Sequence, residues 1–480
     1  MSSLKKSALS GMFWTFIQQF STQGITFVVS VILARILLPE EFGLIALLSV
    51  FIGVGNVLVN GGLSQSLIRS PEVDDDDYST VFFFNIIISA LAYFIIFFSA
   101  PYIAEFYNQP QLKEIARVYT LTFVISSLSV VQFTRLNRDM DFKKQTIITI
   151  PSLVISGTLG IILALNNFGV WSLVWSAIAK ETAHTIQLWW SSPWMPKLRF
   201  KKEKIKQHFG FGYKLTIAGV INTLFQDIYT IIIGKFFDPM QVGFYNRANT
   251  LRMLPVKNFG AVLNKVTFPL FSKIQDDDER LKNAYKKVMQ MSVFLVAPTL
   301  MFMGVLAEPL FRFLLTEKWL PAVPYFQILC VAGIFYPINA YNLNVLAVKG
   351  RSDLILKLSL IKRIIIIAVI LIVFQWGIYG LIYGQVFLSI LLLYVNSYYC
   401  HKLINYSFGN QIKHIIPTIV MSIFVTLLVY GIDYFMQAKN YLDIVRIVLG
   451  GCSGIITFVL LAHTFKLESY LELKAIILKK

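Results

Sequence analysis

Apolar runs of about twenty residues recur along this chain from end to end, and they leave it little freedom. As a helix, such a run crosses the ~30 Å hydrocarbon core of a bilayer. In hydrocarbon every backbone N–H and C=O must find its partner inside the segment, so helices are the natural reading. Fourteen runs can be read, near 12–34, 42–68, 80–100, 116–134, 147–165, 170–190, 211–234, 242–268, 288–307, 323–347, 358–374, 378–400, 414–435 and 444–465. Ser and Thr dilute the fourth most. Charged residues are 14% of the 480 positions and hydrophobic ones 56%, where a soluble domain needs about 25% charged. A soluble surface and a disordered chain are both excluded. The expected fold class is an all-α polytopic membrane protein of about fourteen transmembrane helices. Met1 to Lys6 leads into an apolar run with no small-residue cleavage site, so it reads as an uncleaved first span.

The net charge of +17 suggests basic cytoplasmic loops facing anionic lipid rather than nucleic acid. Of the 43 Lys and Arg, 29 fall on one side of the fourteen-span reading and 7 on the other, with the last 7 within or at the ends of spans. The positive-inside rule then puts both termini in the cytoplasm. Connections are short. Asn166–Gly169 and Gln375–Ile378 read as tight outer turns, and no loop can fold as a separate domain. The acidic runs Asp74–Asp77 and Asp276–Glu279 read as solvated caps of inner loops rather than metal sites. Cys330, Cys400 and Cys452 form no disulfide framework and no metal spacing. No cofactor is expected.

The chain repeats at an offset of 200. Arg35-Ile-Leu-Leu-Pro-Glu-Glu-Phe-Gly43 matches Lys235-Phe-Phe-Asp-Pro-Met-Gln-Val-Gly243 in its cation, proline and glycine. The pattern is a helix end, a Pro-initiated turn and a Gly-permitted start to the next helix. Six spans separate the copies, so both run the same way through the membrane. This implies a parallel repeat of two six-helix lobes, 1–205 and 206–405, with two additional spans and a tail in 406–480.

Polar residues in a span should face a bundle interior or a water-filled cavity. At about 100° per residue, the first span gathers Gln19 with Thr15, Thr22 and Ser30 on one face, and the second gathers Asn56 and Asn60. Much of each face recurs 200 residues on, as Asn222 and Gln226 in span 7 and Asn249 and Asn264 in span 8, whose polar stripe also includes Asn246. Packing through small and amide residues explains one such stripe; four stripes largely in register favour a shared polar lumen. The in-span cations sharpen this. Lys257 falls near the centre of the span 8 stripe, and Arg247 and Lys265 lie on a common edge beside it. Arg252 points elsewhere. Arg35, Lys265 and Lys214 lie nearer helix ends, where snorkelling accounts for them as well as a lumen does. A cation at the bilayer centre costs about 2.5–3.5 kcal/mol and needs a compensating role; in a polar lumen, that role is anion binding. In-span acids are few. Asp227 lies beside Gln226. Glu181 sits with Lys180 and His184, either as a local ion pair or, with Asp227, as a candidate site for ion coupling.

No catalytic constellation and no phosphate-binding Gly-rich loop appear, so neither an enzyme nor an ATP-driven pump is expected. Several segments instead carry a resemblance. Ile32-Leu-Ala-Arg-Ile-Leu-Leu-Pro-Glu-Glu-Phe-Gly-Leu-Ile45 and Val242-Gly-Phe-Tyr-Asn-Arg-Ala-Asn-Thr-Leu-Arg-Met-Leu-Pro255 resemble segments of the Wzx-type oligosaccharide flippases, as do Leu136–Lys143 and Asn167–Trp171. These belong to the multidrug/oligosaccharidyl-lipid/polysaccharide exporter superfamily. The resemblance covers about residues 10–465. It implies two six-helix lobes in a V, two extra helices and alternating access. The implied cargo is an undecaprenyl-pyrophosphate-linked oligosaccharide, moved across the bacterial cytoplasmic (inner) membrane for surface polysaccharides such as lipopolysaccharide. It further implies lumen cations that hold pyrophosphate or acidic sugars, with Arg247 and Lys257 the best matches. The expected partners are this lipid-linked cargo, membrane lipids and polysaccharide polymerase or assembly proteins, for a chain that acts as a monomer. The superfamily's drug exporters usually carry a coupling acid in the first span; this span has Gln18 and Gln19 instead. The rival readings are a cation-coupled multidrug or small-solute antiporter and a peptidoglycan-precursor lipid flippase.

Overall fold

The computed structural model describes the backbone of residues 2–60 and 62–478, and their side chains apart from 2–10, 12, 60, 211, 261–266 and 476–478. Among these residues all regular structure is helical. The helices fall into two compact units, Met1–Gly243 and Phe244–Lys480.

In the first unit, α1 (Ser2–Ile36) packs on α7 (Phe142–Leu165), and α7 on α8 (Val170–Ser191). Small residues permit these approaches. A Cβ at Gly157 would run into Val29, and Ser156 Oγ bonds the Ser176 carbonyl and hydroxyl at 2.8 and 2.9 Å. The second span is α2 (Pro39–Asn60) followed by α3 (Gly62–Arg69). Next come α4 (Asp75–Phe106), α5 (Leu112–Tyr119) and α6 (Leu121–Arg138). Leu63 and Leu67 of α3 close a core with Tyr78, Val81, Phe82, Val131 and Trp194. The unit ends with α9 (Lys202–Gln226), α10 (Ile228–Phe236) and the first turn of α11 (Pro239–Lys273). Many hydroxyls inside these helices bond backward to their own helix, as Thr134 Oγ1 does to the Val130 carbonyl at 2.8 Å. A hydroxyl can thus sit in an apolar helix without an orphaned donor.

The second unit holds most of α11, then α12 (Asp278–Val305), α13 (Ala307–Leu315), α14 (Val323–Ile334), α15 (Tyr336–Val348), α16 (Ser352–Val373) and α17 (Gly377–Ile404). It closes with α18 (Phe408–Ala438), α19 (Asp443–Thr464) and α20 (Glu468–Leu478). Phe294, Phe302 and Leu306 of the α12 segment pack against Val425, Val429, Phe458 and Ala462. The last two long helices are therefore part of this unit's core. An ion pair joins them: Arg446 Nε and Nη2 lie 2.9 Å from the two carboxylate oxygens of Asp433. Arg446 Nη1 reaches Asp443 Oδ1 at 3.3 Å, as does Arg312 Nη1 from α13.

By length and apolarity, ten helical segments of the described residues can cross a membrane, eleven with the bent pair 212–226 and 228–236. That is fewer than the fourteen runs read from sequence, for identifiable reasons. The segment Ser352–Ile404 counts once, although a short 3₁₀ turn at Phe374–Trp376 and Gly377 at φ 66° divide α16 from α17. Helix α8 carries Lys180 and Glu181, and α11 carries Arg247, Arg252 and Lys257, which lower their apolarity. Several runs read as single spans are broken: α5 and α6 meet at Thr120, α9 and α10 at Asp227, and α14 and α15 at Phe335.

The repeated motif folds alike in both places. α1 ends at Ile36 and α2 starts at Pro39; α10 ends at Phe236 and α11 starts at Pro239. The two copies also touch. A Cβ on Gly43 would fall on the Pro239 carbonyl oxygen, and one on Gly243 on that of Pro39. Only glycine allows that approach at either position.

Candidate transport site

The apolar helices of the first unit carry polar side chains at exposed positions. Asn56 of α2, and Lys214, Asn222 and Gln226 of α9, are exposed. On α9 successive members of the three lie eight and four residues apart, so they share one face. Gly53 of α2 sits one turn from Asn56, and a Cβ there would meet the Thr223 methyl of α9. The two polar faces are therefore borne on helices in contact. Gln19 of α1 is half-buried, and its neighbour Gln18 donates to Thr149 Oγ1 of α7 at 3.4 Å. Arg35 is exposed in the last turn of α1. The side chain of Asn60 lies outside the described residues.

In the second unit α11 carries its cations in different settings. Arg247 is buried, at 8% exposure, and its guanidinium lies 5.2 Å over the Trp319 ring. Stacking of this kind suits a guanidinium removed from water. Lys257, ten residues along, is exposed. Asn246 and Asn249 are half-buried, and Asn249 Oδ1 accepts from Arg252 Nη2 at 2.6 Å. Arg252 also donates to the Leu329 carbonyl at 3.2 Å, so its partners are neutral oxygens. The side chains of Asn264 and Lys265 lie outside the described residues. Asp227, half-buried, occupies the break between α9 and α10, where the helix axis turns by 48°. On α8, Lys180 Nζ pairs with Glu181 Oε1 at 3.0 Å, while the His184 ring turns to Phe133 at 5.6 Å.

The reading of Asp74–Asp77 as solvated caps holds for one end only. Asp74 caps α4 in a capping box with Asp77. Asp77 itself is 2% exposed and is not solvated. Its carboxylate accepts from the Asp74 backbone N–H at 3.0 Å, from Lys204 Nζ at 2.8 Å, and lies 3.1 Å from His208 Nε2. The hydrogen bond to Asp77 holds the Lys204 amine above its usual range. The only local sequence signals for this were the three-residue spacing of a capping box and the i, i+4 pairing of Lys204 with His208.

Residues 32–324 match the family model for "Polysaccharide biosynthesis protein". The chain belongs to this family of Wzx-type flippases. It is 24% identical over 376 residues to the lipopolysaccharide biosynthesis protein WzxC of Escherichia coli K12, covering 77% of this chain and 76% of that one. Among solved structures it resembles the lipid II flippase MurJ in its inward closed conformation, with a TM-score of 0.73 at 13% identity over 95% of this chain and 99% of that one. It also resembles an inward-facing multidrug resistance MATE transporter, with a TM-score of 0.62 at 16% identity over 79% of this chain and 95% of that one. The fold is the one shared by MurJ and MATE proteins. The flippase is a multi-pass protein of a bacterial membrane that serves polysaccharide biosynthesis, and it is a transporter rather than an enzyme.

Proposed function

We propose that this transporter flips an undecaprenyl-pyrophosphate-linked oligosaccharide from the cytoplasmic to the outer leaflet of the bacterial cytoplasmic membrane by alternating access. One observation carries the reading. Amides and cations sit exposed on long helices of the bundle: Asn56 on α2 and Lys214, Asn222 and Gln226 on α9 in the first unit, and Lys257 on α11 in the second. Facing lipid, each would be unfavourable, and a lysine would cost about 2.5–3.5 kcal/mol. Facing water, each can replace hydration on a passing sugar or phosphate.

The chemistry follows from the cargo. A sugar head group cannot cross ~30 Å of hydrocarbon with its hydroxyls unpaired. Asn and Gln offer both donors and acceptors to hydroxyls, and Lys offers a point charge to phosphate. Arg247, buried on Trp319, shapes this surface of α11 and adds to its field. In this reading the chain crosses the membrane fourteen times. α8, α11 and each of α16 and α17 count as crossings, with lobes at 1–205 and 206–405 and both termini inside. Lipid-linked sugar and membrane lipid are its partners, with polymerase and assembly proteins beyond them, and the chain acts as a monomer.

The test is depletion of the protein in its own bacterium, followed by analysis of lipid-linked species. Undecaprenyl-pyrophosphate oligosaccharide should accumulate on the cytoplasmic leaflet while surface polysaccharide falls. Accumulation of a peptidoglycan precursor, or new sensitivity to cationic drugs with no lipid-linked build-up, would refute the proposal. The second outcome would make Asp227 and Glu181 the residues to test for ion coupling.

A further inference from the structure

Helix α9 is held in the first unit by a polar joint. Of its described side chains only His208 and Gly212 are buried. His208, at 1% exposure, bridges two elements: Nδ1 lies 2.8 Å from Ser66 Oγ on α3, and Nε2 lies 3.1 Å from Asp77 Oδ1 on α4. With a neutral ring protonated on Nε2, Nε2–H donates to Asp77 and Nδ1 accepts from Ser66; with a charged ring, both nitrogens donate. One turn on, Gly212 meets Gly62 backbone to backbone, where an added Cβ on Gly212 would lie 2.9 Å from the Gly62 carbonyl carbon. The Gly62 N–H donates to Thr216 Oγ1 at 3.3 Å. Lys204 completes the joint by donating to Asp74 at 3.2 Å and Asp77 at 2.8 Å.

The opposite face of α3 is different in kind. Leu63 and Leu67 pack into the apolar core with Tyr78, Phe82 and Trp194. α3 is therefore tied to α4 and α6 by hydrophobic burial and to α9 by hydrogen bonds and a glycine contact. Water can replace a hydrogen-bonded contact at low net cost, but it cannot replace apolar burial. The joint lies at the end of α4 that begins with Asp75 and the end of α9 that begins with Lys202, beside the basic segment Lys197–Lys206. By the positive-inside rule, that end faces the cytoplasm.

We propose that Ser66, His208, Asp77 and Lys204, with Gly62 and Gly212, form a cytoplasmic latch that closes α9 onto α3 and α4 and parts when the transporter admits cargo from the cytoplasmic leaflet. The last clause rests on the transport reading above; the latch itself does not. Parting exposes His208 and the Asp77 carboxylate to water, separates the exposed Phe209 ring from Phe84 of α4, 6.0 Å away, and leaves the buried cluster of Leu63, Leu67, Tyr78, Phe82 and Trp194 in place.

The test uses the full chain in lipid nanodiscs with exposed Cys452 replaced by Ser and spin labels at Glu72→Cys and Gln207→Cys, both exposed positions flanking the joint. Pulsed electron resonance should give one short distance in the parent. Asp77→Asn and His208→Leu should each add a longer population, raising the open-to-closed ratio about 10- to 100-fold, the loss expected from one charge-assisted hydrogen bond. Ser66→Ala should raise it less. Thermal unfolding of each variant near the parent midpoint shows that the change is local. An unchanged single distance in both Asp77→Asn and His208→Leu would overturn the latch, even if export were lost. A longer population with parental export of surface polysaccharide would overturn its role as a gate. Failure of the depletion experiment would overturn the cargo assignment and leave these distances to report on the joint alone.

Discussion

Replacing Arg446 by methionine should destabilise the second unit far more than an ordinary surface substitution does. Arg446 is 2% exposed and Asp433 7%. Both carboxylate oxygens are held at 2.9 Å in a bidentate fork. Methionine removes both bonds and leaves Asp433 charged and enclosed. Breaking one side of a buried pair costs about 3–5 kcal/mol, because the remaining charge keeps its desolvation penalty. Asp443 suffers less, since Arg312 still reaches it at 3.3 Å. The double variant Asp433→Leu/Arg446→Met removes the orphaned charge and should recover most of the loss. An exposed pair would instead be worth about 0–1 kcal/mol. Unfolding in mixed SDS micelles, followed by tryptophan fluorescence, separates the two cases. Arg446→Met should shift the unfolding equilibrium a hundredfold or more, and the double variant should return it to within about tenfold of the parent. A single variant within 1 kcal/mol of the parent would refute the argument, and so would a double variant no better than the single one.

Lys257→Ala should lower polysaccharide export at least tenfold at unchanged membrane level, whereas Arg247→Ala should lose export and stability together; full export in both would remove the cation site. Gly43→Ala and Gly243→Ala should each destabilise by about 1–3 kcal/mol through forced backbone shifts, read as a lowered thermal midpoint, and no change in either would refute the close contact. A cysteine at Asn167 should be labelled by impermeant reagent from outside intact cells and one at Lys202 only after permeabilisation; the reverse would invert the topology. Glu468 is held below the ordinary carboxylate range, chiefly by Lys286 at 2.7 Å. A depressed acid stabilises above its unfolded pKa, and that contribution fades as pH falls through the folded value. Glu468→Gln should therefore cost a few tenths of a kcal/mol at pH 7, since the pair is half-exposed, and nothing near pH 3; equal effects at both pH values would refute the pairing.

Much of this molecule is legible from composition and period. Apolar runs mark the long helices, and the cation–Pro–Gly repeat marks two helix ends that fold alike. Asn166–Gly169 and Gln375–Ile378 form their turns, with Asn167 at φ 62°, Gly169 at φ 55° and Gly377 at φ 66°. The breaks at Thr120, Asp227 and Phe335 escape, because an interrupted apolar helix keeps an apolar composition and repairs its hydrogen bonds locally, as Thr120 Oγ1 does with the Ala116 carbonyl. A helical wheel also shows which side chains share a face, but not what that face meets. Arg247 and Lys257 look alike in sequence; Trp319, seventy-two residues after Arg247, decides that one of them is covered. Asp77 reads as one of four solvated aspartates because the histidine that claims it is 131 residues away.

Gly43 and Gly243 each press on the other motif's proline carbonyl. Residue i meets j as j meets i, which is the geometry of an isologous dimer interface held in a single chain. In a half-length protein pairing with itself, one substitution at this glycine would strike both sides of the contact at once. Fusion separates the two. Glu40 and Met240, and Glu41 and Gln241, occupy equivalent positions with different chemistry, while glycine stands at both positions that share the single space.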